Sequence, residues 1–342
     1  MGHGDECAPT LLDAASKAAA SNTNTGAPPP EAFRHCQEGG SIGALPSWYC
    51  RAAGGNSTKA SGPQGDQLQL EATSESCWQL WQAVRAKRPL VHCITNFVSM
   101  DIMANVLLAA GCSPAMAHSL DEVESFVTIS SALLVNMGTL SSDWVAAKKL
   151  AAKKAVELGK PWVLDPVGCG ATPVRTASCL DLLACRPTVV RGNASEVLAL
   201  AGAAGSSGVK GVDSTAASGD AVEAAKSLAS KHGCVVAVSG EVDYVTDGQA
   251  LVAVRNGSPL LTLITAAGCS LTALIAAFLV VAPGQPLMAT SHALAVFGLA
   301  AEEGLQLAPR PGPGSLRVAL LDCLHLMERA AVVEGARIEV VS

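Results

Sequence analysis

Three short segments hold residues able to handle a cation and a phosphate. In Trp162-Val-Leu-Asp165-Pro-Val-Gly-Cys-Gly170, an apolar run delivers an acid into a Pro/Gly loop. A carboxylate there either holds Mg²⁺, directly or through water, or merely caps the next turn. Val189-Val-Arg191-Gly-Asn193-Ala-Ser-Glu196 repeats the pattern of an apolar run followed by a helical start. Asn193 as N-cap and Glu196 three residues on explain this spacing as a capping box. The same pair, with Arg191 at the strand end, also suits a hydrated Mg²⁺ carrying nucleotide phosphates. The third segment, Leu263-Ile-Thr265-Ala266-Ala267-Gly268-Cys269-Ser-Leu, passes through a small-residue turn into a long apolar helix. Unpaired amides and the positive dipole end of its first turn favour a transferring phosphoryl group. Cys269 at that end is expected to ionise below the ordinary thiol value of about 8.5. A small buried hydrophobe is the alternative.

The elements around these segments follow from periodicity. Apolar strands are expected at 90–95, 113–117, 132–137, 162–165, 188–191, 235–239, 244–246, 251–254 and 260–264. Helical spacing appears at 100–110, 120–130, 142–158, 195–201, 221–231, 269–281, 287–304 and 316–329. Strands alternating with helices predict an α/β fold with a mostly parallel sheet covered on both faces. Ligands of such sheets bind beyond the carboxyl ends of the strands. Asp247-Gly248 between two short runs predicts a tight hairpin and so an antiparallel pair late in the sheet. The Lys148-Lys-Leu-Ala-Ala-Lys-Lys154 cluster reads as the wet face of a helix. His118, His232, His292 and His325 lack metal-like spacing, and His92 is left open between a core and a pocket role.

Composition excludes several classes. The chain has 342 residues, 49% of them apolar and 15% charged, with a formal charge of -6. That balance leaves no electrostatic footprint for nucleic acid or an anionic membrane. Twelve cysteines occur without a Cys-x-x-Cys pair, which argues for free thiols in a reducing compartment. No Asp, Glu, Lys or Arg occurs from Asn256 to Ala301, and residues 263–282 reach membrane length. Interruptions at Gly268, Ser270 and Thr272, and the Pro283-Gly-Gln-Pro286 close, favour a helix buried in the domain or at a subunit contact. Neither a P-loop nor a complete G-x-G-x-x-G is present. Residues 1–72 are rich in Ala, Gly, Ser, Thr, Asn and Pro and are expected to form a disordered extension. The folded domain is expected at 73–335 and a tail at 336–342. The start of the chain shows no secretory signal, and a cytoplasmic location is expected, with plastid import through the extension as the alternative.

The three segments, in this order and with Pro89-Leu-Val-His-Cys-Ile-Thr-Asn96 before them, resemble the hydroxyethylthiazole kinases of the ribokinase-like superfamily. The likeness continues through Ser113-Pro-Ala-Met116-Ala, 132–140, Gly211-Val-Asp213-Ser, 240–247 and 312–324, and covers about 75–335. It implies a ribokinase-like three-layer α/β/α fold. It also implies phosphorylation by ATP, with Mg²⁺, of the hydroxyl of 4-methyl-5-(2-hydroxyethyl)thiazole in thiamine synthesis or salvage. Under this resemblance Met116 and Asn96 belong to the thiazole pocket, Arg191, Asn193 and Ser239 to the ATP site, and Asp165 and Glu196 to the metal shell. Gly268 and Cys269 form the catalytic turn, and a homotrimer is implied.

The family turn usually reads Gly-Thr-Gly-Cys, where this chain has Ala266-Ala267-Gly268-Cys269. If position 266 needs a positive φ, the Ala costs about 1 kcal/mol, and its methyl group crowds the pocket. The departure keeps two alternatives in play. One is a related kinase for another heteroaromatic alcohol, and the other is a thiazole-binding trimer impaired in catalysis.

Overall fold

The computed structural model describes residues 71–205, 217–307 and 310–341. Most of the expected 1–72 extension and the Gly211-Val-Asp213-Ser segment therefore lie outside the described residues. The strands run β1 (Leu90–Ile94), β2 (Ser113–Ala115), β3 (Ala132–Asn136), β4 (Trp162–Asp165), β5 (Val189–Asn193), β6 (Val235–Ser239), β7 (Asp243–Thr246), β8 (Leu251–Val254) and β9 (Ile338–Val340). They form one sheet in the order β2-β1-β3-β4-β5-β6-β7-β8-β9. Pairing is parallel from β2 to β6 and antiparallel from β6 to β9.

Each central strand divides its side chains between two cores with a period of two. Val91, Cys93, Leu134, Val163 and Val189 face one layer. Leu133, Val135, Leu164 and Val190 face the other. The first layer consists of α1 (Ser74–Lys87), α2 (Met100–Ala109), α8 (Ala267–Val281), α9 (Pro286–Leu307), α10 (Pro313–Leu326) and α11 (Arg329–Gly335). The second consists of α3 (Val123–Ile129), α4 (Ser142–Glu157), α5 (Pro173–Leu183), α6 (Ala194–Ala203) and α7 (Ala217–His232). This is the three-layer α/β/α architecture, because strands apolar on both faces need helices on both sides.

The uncharged run resolves into α8, whose apolar residues are buried all round by the sheet, α1, α2 and α9. Among the described residues no helix is long and apolar enough to cross a membrane. All nine described cysteines are free thiols.

Several expectations need correction. The strand expected at 260–264 is a 3₁₀ helix, Pro259–Leu263, because Ser258 caps it and Pro259 opens its first turn. Within the tail expected at 336–342, Ile338–Val340 pairs with β8 as the sheet edge. The β7–β8 connection is a four-residue loop rather than a tight two-residue turn. In it the Asp247 carboxylate accepts from the amides of Gln249 and Ala250, both at 2.9 Å. Lys148 is not on a wet face: α4 turns it inward with Trp144, Ala147 and Ala151, and its ammonium sits 5.3 Å from the Trp144 ring centre. Burial holds that ammonium down at about 8. His92 proves to be a core residue, its Nε2 2.8 Å from the Ala117 carbonyl and its pKa pushed down to about 4 by burial.

Three helices escaped the periodicity reading, the short α11 (Arg329–Gly335) among them. In α1, Cys77, Leu80, Trp81 and Val84 follow regular helical spacing behind the N-cap Thr73. In α5, Thr172 caps and Pro173 takes the first turn.

Candidate active site

Parallel pairing brings the chemistry-bearing segments together. Register sets Asn136 beside Asp165 at the ends of β3 and β4, and Asn193 beside Ser239 at the ends of β5 and β6. The amino end of α8 lies over the same strand ends. Between them is a cavity of about 940 Å³, walled by Asp165, Arg191, Glu196 and Ser239, and by Ala266 to Cys269. Pro259, Leu294 and Phe297 add apolar lining. Asn193 also lines it.

Arg191 is held rather than free. Its Nη2 donates to the Ser239 hydroxyl at 2.7 Å, and its buried Nε has no partner among the described residues. A Cβ built at Gly268 would lie 2.6 Å from Arg191 Nη1, so only glycine lets α8 approach the guanidinium this closely. Ala266 sits at φ 63°, in the left-handed region, as N-cap of α8, and no side chain among the described residues caps that end. The strain expected for an Ala there is therefore present.

The Asn193–Glu196 capping box forms: Asn193 Oδ1 accepts from the Glu196 amide, and Glu196 Oε2 accepts from the Asn193 amide, both at 2.9 Å. Glu196 Oε1 also accepts from the Gly168 amide at 2.8 Å, which ties the Asp165 loop to α6. Both carboxylate oxygens already carry a backbone donor. Asp165 is buried, and burial pushes its carboxyl up to about 6, opposed by the nearby Arg191. Asn136 Nδ2 donates to its Oδ2 at 2.8 Å.

Cys269 departs from expectation. Burial pushes its thiol up to about 12, and the neighbouring Asp165 adds to the rise against Asn136, Arg191 and Asn96. Desolvation outweighs the helix dipole, which favours a thiolate by a smaller amount.

Asn96 stands just outside the cavity wall, with Nδ2 2.8 Å from Asn136 Oδ1 and 3.9 Å from Cys269 Sγ. Met116 is half-buried against the α8 side of the core and does not line the cavity. Sequence reasoning missed three residues. Asn136 donates to the Asp165 carboxylate, and Thr272, close to the same carboxylate, donates its hydroxyl to the Gly268 carbonyl at 3.0 Å. Asp243 lines the cavity and accepts from the Gly240 amide at 2.9 Å, with burial raising it to about 6. Asn136 and Asp243 lie inside segments that carried the family resemblance, whereas Thr272 shows only as a polar residue in an apolar helix.

As to a metal, no group of three or more His, Cys, Asp or Glu side chains able to hold one occurs among the described residues. One ionisable buried carboxylate beside a second, already engaged one fits a cation that arrives on phosphates and keeps several waters, as Mg²⁺ does.

A sheet of this order gathers a guanidinium, a buried acid and an uncapped helix start around one cavity. The model of the hydroxyethylthiazole kinase family matches residues 81–329. A hydroxyethylthiazole kinase of Zea mays is 54% identical over 263 residues, 76% of this chain and 92% of that one. That of Arabidopsis thaliana is 49% identical, covering 78% of this chain and 95% of that one. The solved hydroxyethylthiazole kinase of Pyrococcus horikoshii OT3 is 41% identical, with a TM-score of 0.72 over 78% of this chain and all of that one. A pyridoxal kinase of Staphylococcus aureus, bound to AMP-PCP and pyridoxal, shares the fold at 17% identity and a TM-score of 0.53, covering 74% of this chain and 98% of that one. The chain belongs to the hydroxyethylthiazole kinase family.

Proposed function

We propose that this protein transfers the γ-phosphoryl group of ATP to the primary hydroxyl of 4-methyl-5-(2-hydroxyethyl)thiazole, yielding the thiazole phosphate used in thiamine synthesis. The observation that carries the reading is the convergence of Arg191, Asp165 and the uncapped α8 start on one cavity, with Cys269 joining it to Asn96.

The acceptor supplies its own nucleophile, so the protein has to align a hydroxyl with the phosphoryl group and neutralise charge on the equatorial oxygens. Arg191, steadied by Ser239, binds the nucleotide phosphates, and the amides of Gly268 and Cys269 receive the transferring group. Mg²⁺, when bound, would supply neutralisation of the phosphate charge. Asp165 and Glu196 would hold it, Glu196 through water since its oxygens serve backbone amides. Asn96 and Met116 orient the acceptor from the β1–β2 side. With its pKa near 12, Cys269 stays a neutral thiol at physiological pH and acts by lining the anion site rather than as a thiolate base.

The test is a coupled assay of purified protein with the thiazole alcohol and Mg-ATP, with the product identified by phosphorus NMR. Absence of thiazole phosphate overturns the reading. The Ala266-Ala267 turn favours including other heteroaromatic alcohols in the panel, because its methyl groups alter the acceptor wall. Thiazole binding in calorimetry without any transfer would point instead to an impaired binding protein.

The reading includes a homotrimer with the acceptor site near a subunit contact. Phe97 and Val98, 70% and 62% exposed beside Asn96, supply apolar surface for it. Light scattering at the mass of a monomer rejects the trimer. A cytoplasmic location, with plastid import through residues 1–72 as the alternative, is tested by imaging the full chain fused to a fluorescent protein.

A further inference from the structure

We propose that Asn136, which does not line the cavity, is a positioning residue joining the acceptor side of the site to the carboxylate beneath the nucleotide. The inference rests on the kinase reading above. Asn136 ends β3 and is fully buried. Its Oδ1 accepts from the Gly138 amide at 2.9 Å and from Asn96 Nδ2 at 2.8 Å, and its Nδ2 donates to Asp165 Oδ2 at 2.8 Å.

The polarity of this chain of side chains is set by backbone donors at each amide. The Gly138 amide can only donate, so it pins Asn136 Oδ1 toward it and turns Nδ2 toward Asp165. Asn96 is pinned in the same way. Its Oδ1 accepts from the amides of Val98 and Ser99, both at 3.0 Å, which leaves Nδ2 to face Asn136 and, 3.9 Å away, Cys269 Sγ. The approach is built in, because a Cβ at Gly138 would fall 2.6 Å from Asn96 Nδ2.

Position 136 therefore needs a donor toward Asp165 and an acceptor toward Asn96 at once. A side-chain amide of this length meets both demands. Leucine meets neither, and aspartate keeps the acceptor while losing the donor and setting two carboxylates together. Through Asn136, the tilt of the Asp165 carboxylate and the placement of the Asn96 amide against Cys269 are fixed as one unit. A buried network of this kind is effective only when every member is satisfied.

The two substitutions separate these roles in the full-length protein. Calorimetry measures binding of the thiazole alcohol without nucleotide, steady-state assays give kcat and KM with Mg-ATP, and circular dichroism with thermal melting reports the fold. Asn136→Asp is expected to bind the acceptor within about threefold of wild type while kcat falls on the order of 10- to 100-fold. Asn136→Leu is expected to lose both, with acceptor binding about tenfold weaker.

Wild-type turnover in Asn136→Asp overturns the proposal, as does a parallel fall of binding and kcat in both variants. Should Asn136→Leu fail to fold, the near-isosteric Asn136→Asp decides alone. If the wild type phosphorylates a different alcohol from the panel, the substrate reading fails while this inference is scored on that alcohol. If it phosphorylates none, both fall.

Discussion

Two helices begin at the rim of the same cavity, and their amino ends are built in opposite ways. The start of α6 is closed: Asn193 and Glu196 exchange hydrogen bonds with each other's amides, and Glu196 takes the Gly168 amide as well. The start of α8 is open, with an Ala in the left-handed region as N-cap and, among the described residues, no side chain accepting from its first-turn amides. An uncapped helix start gives up about 1 kcal/mol of stability. Here it faces the Arg191 guanidinium across Gly268. The difference teaches that α6 serves to hold the Asp165 loop in place, whereas α8 leaves its amides for an anion to complete.

The sharpest way to break this contrast is to close α8. Ala266→Asp places a carboxylate at the open end, where it competes with phosphate. It is expected to lower kcat/KM by about 10²- to 10³-fold, the scale of losing an oxyanion donor. The same substitution leaves the melting temperature unchanged or higher, because a negative charge at a helix start stabilises by about 0.3–1 kcal/mol. Retained activity in a steady-state assay would mean that the α8 amides are not part of the chemistry.

Gly268→Ala comes next. Its methyl group displaces Arg191 from Ser239, and a loss of about 10²-fold in kcat/KM for Mg-ATP is expected from misplacing one phosphate ligand. Opening α6 by Asn193→Ala should show the converse pattern in chemical denaturation, a stability loss of about 1 kcal/mol. A turnover loss smaller than that of Gly268→Ala should accompany it.

Cys269→Ser is expected to cost less than about tenfold, a small share of the acceleration available from proton transfer. The sign of its pH dependence follows from burial. A thiol raised to about 12 stays protonated below that pH, so the wild-type rate between pH 7 and 9 should lack a rising limb that Cys269→Ser abolishes. Such a limb would restore the thiolate base. Smallest of all, Ala266→Gly relieves the left-handed strain but enlarges unfolded-state freedom, for a net gain of about 0.5 kcal/mol seen as a slight rise in melting temperature.

Much of the frame was legible in the residues. Apolar runs at β1, β3, β4, β5 and β6 mark a sheet buried on both faces, and the spacing from Asn193 to Glu196 foretold the capping box that forms. Where reading failed, a local signal gave way to its surroundings. Leu260–Leu263 has the composition of a strand, yet Ser258 and Pro259 start a 3₁₀ turn. Lys148 looked solvated because its sequence neighbours are lysines, yet α4 rotates it against Trp144. Ile338–Val340 is too short to advertise a strand, and the unpaired edge of β8 recruits it.

By itself the sequence determined which residue types stand at the ends of which strands, since periodicity and turn chemistry are local properties of the chain. The family likeness came from the same ordered segments. Only the tertiary structure decided how those ends communicate. Register sets Asn136 beside Asp165, burial makes Cys269 a neutral thiol instead of a thiolate, and the close packing of α8 on Arg191 leaves no room for a Cβ at Gly268 unless the guanidinium shifts. These are effects of distance and dielectric between residues remote in sequence, which no local pattern encodes.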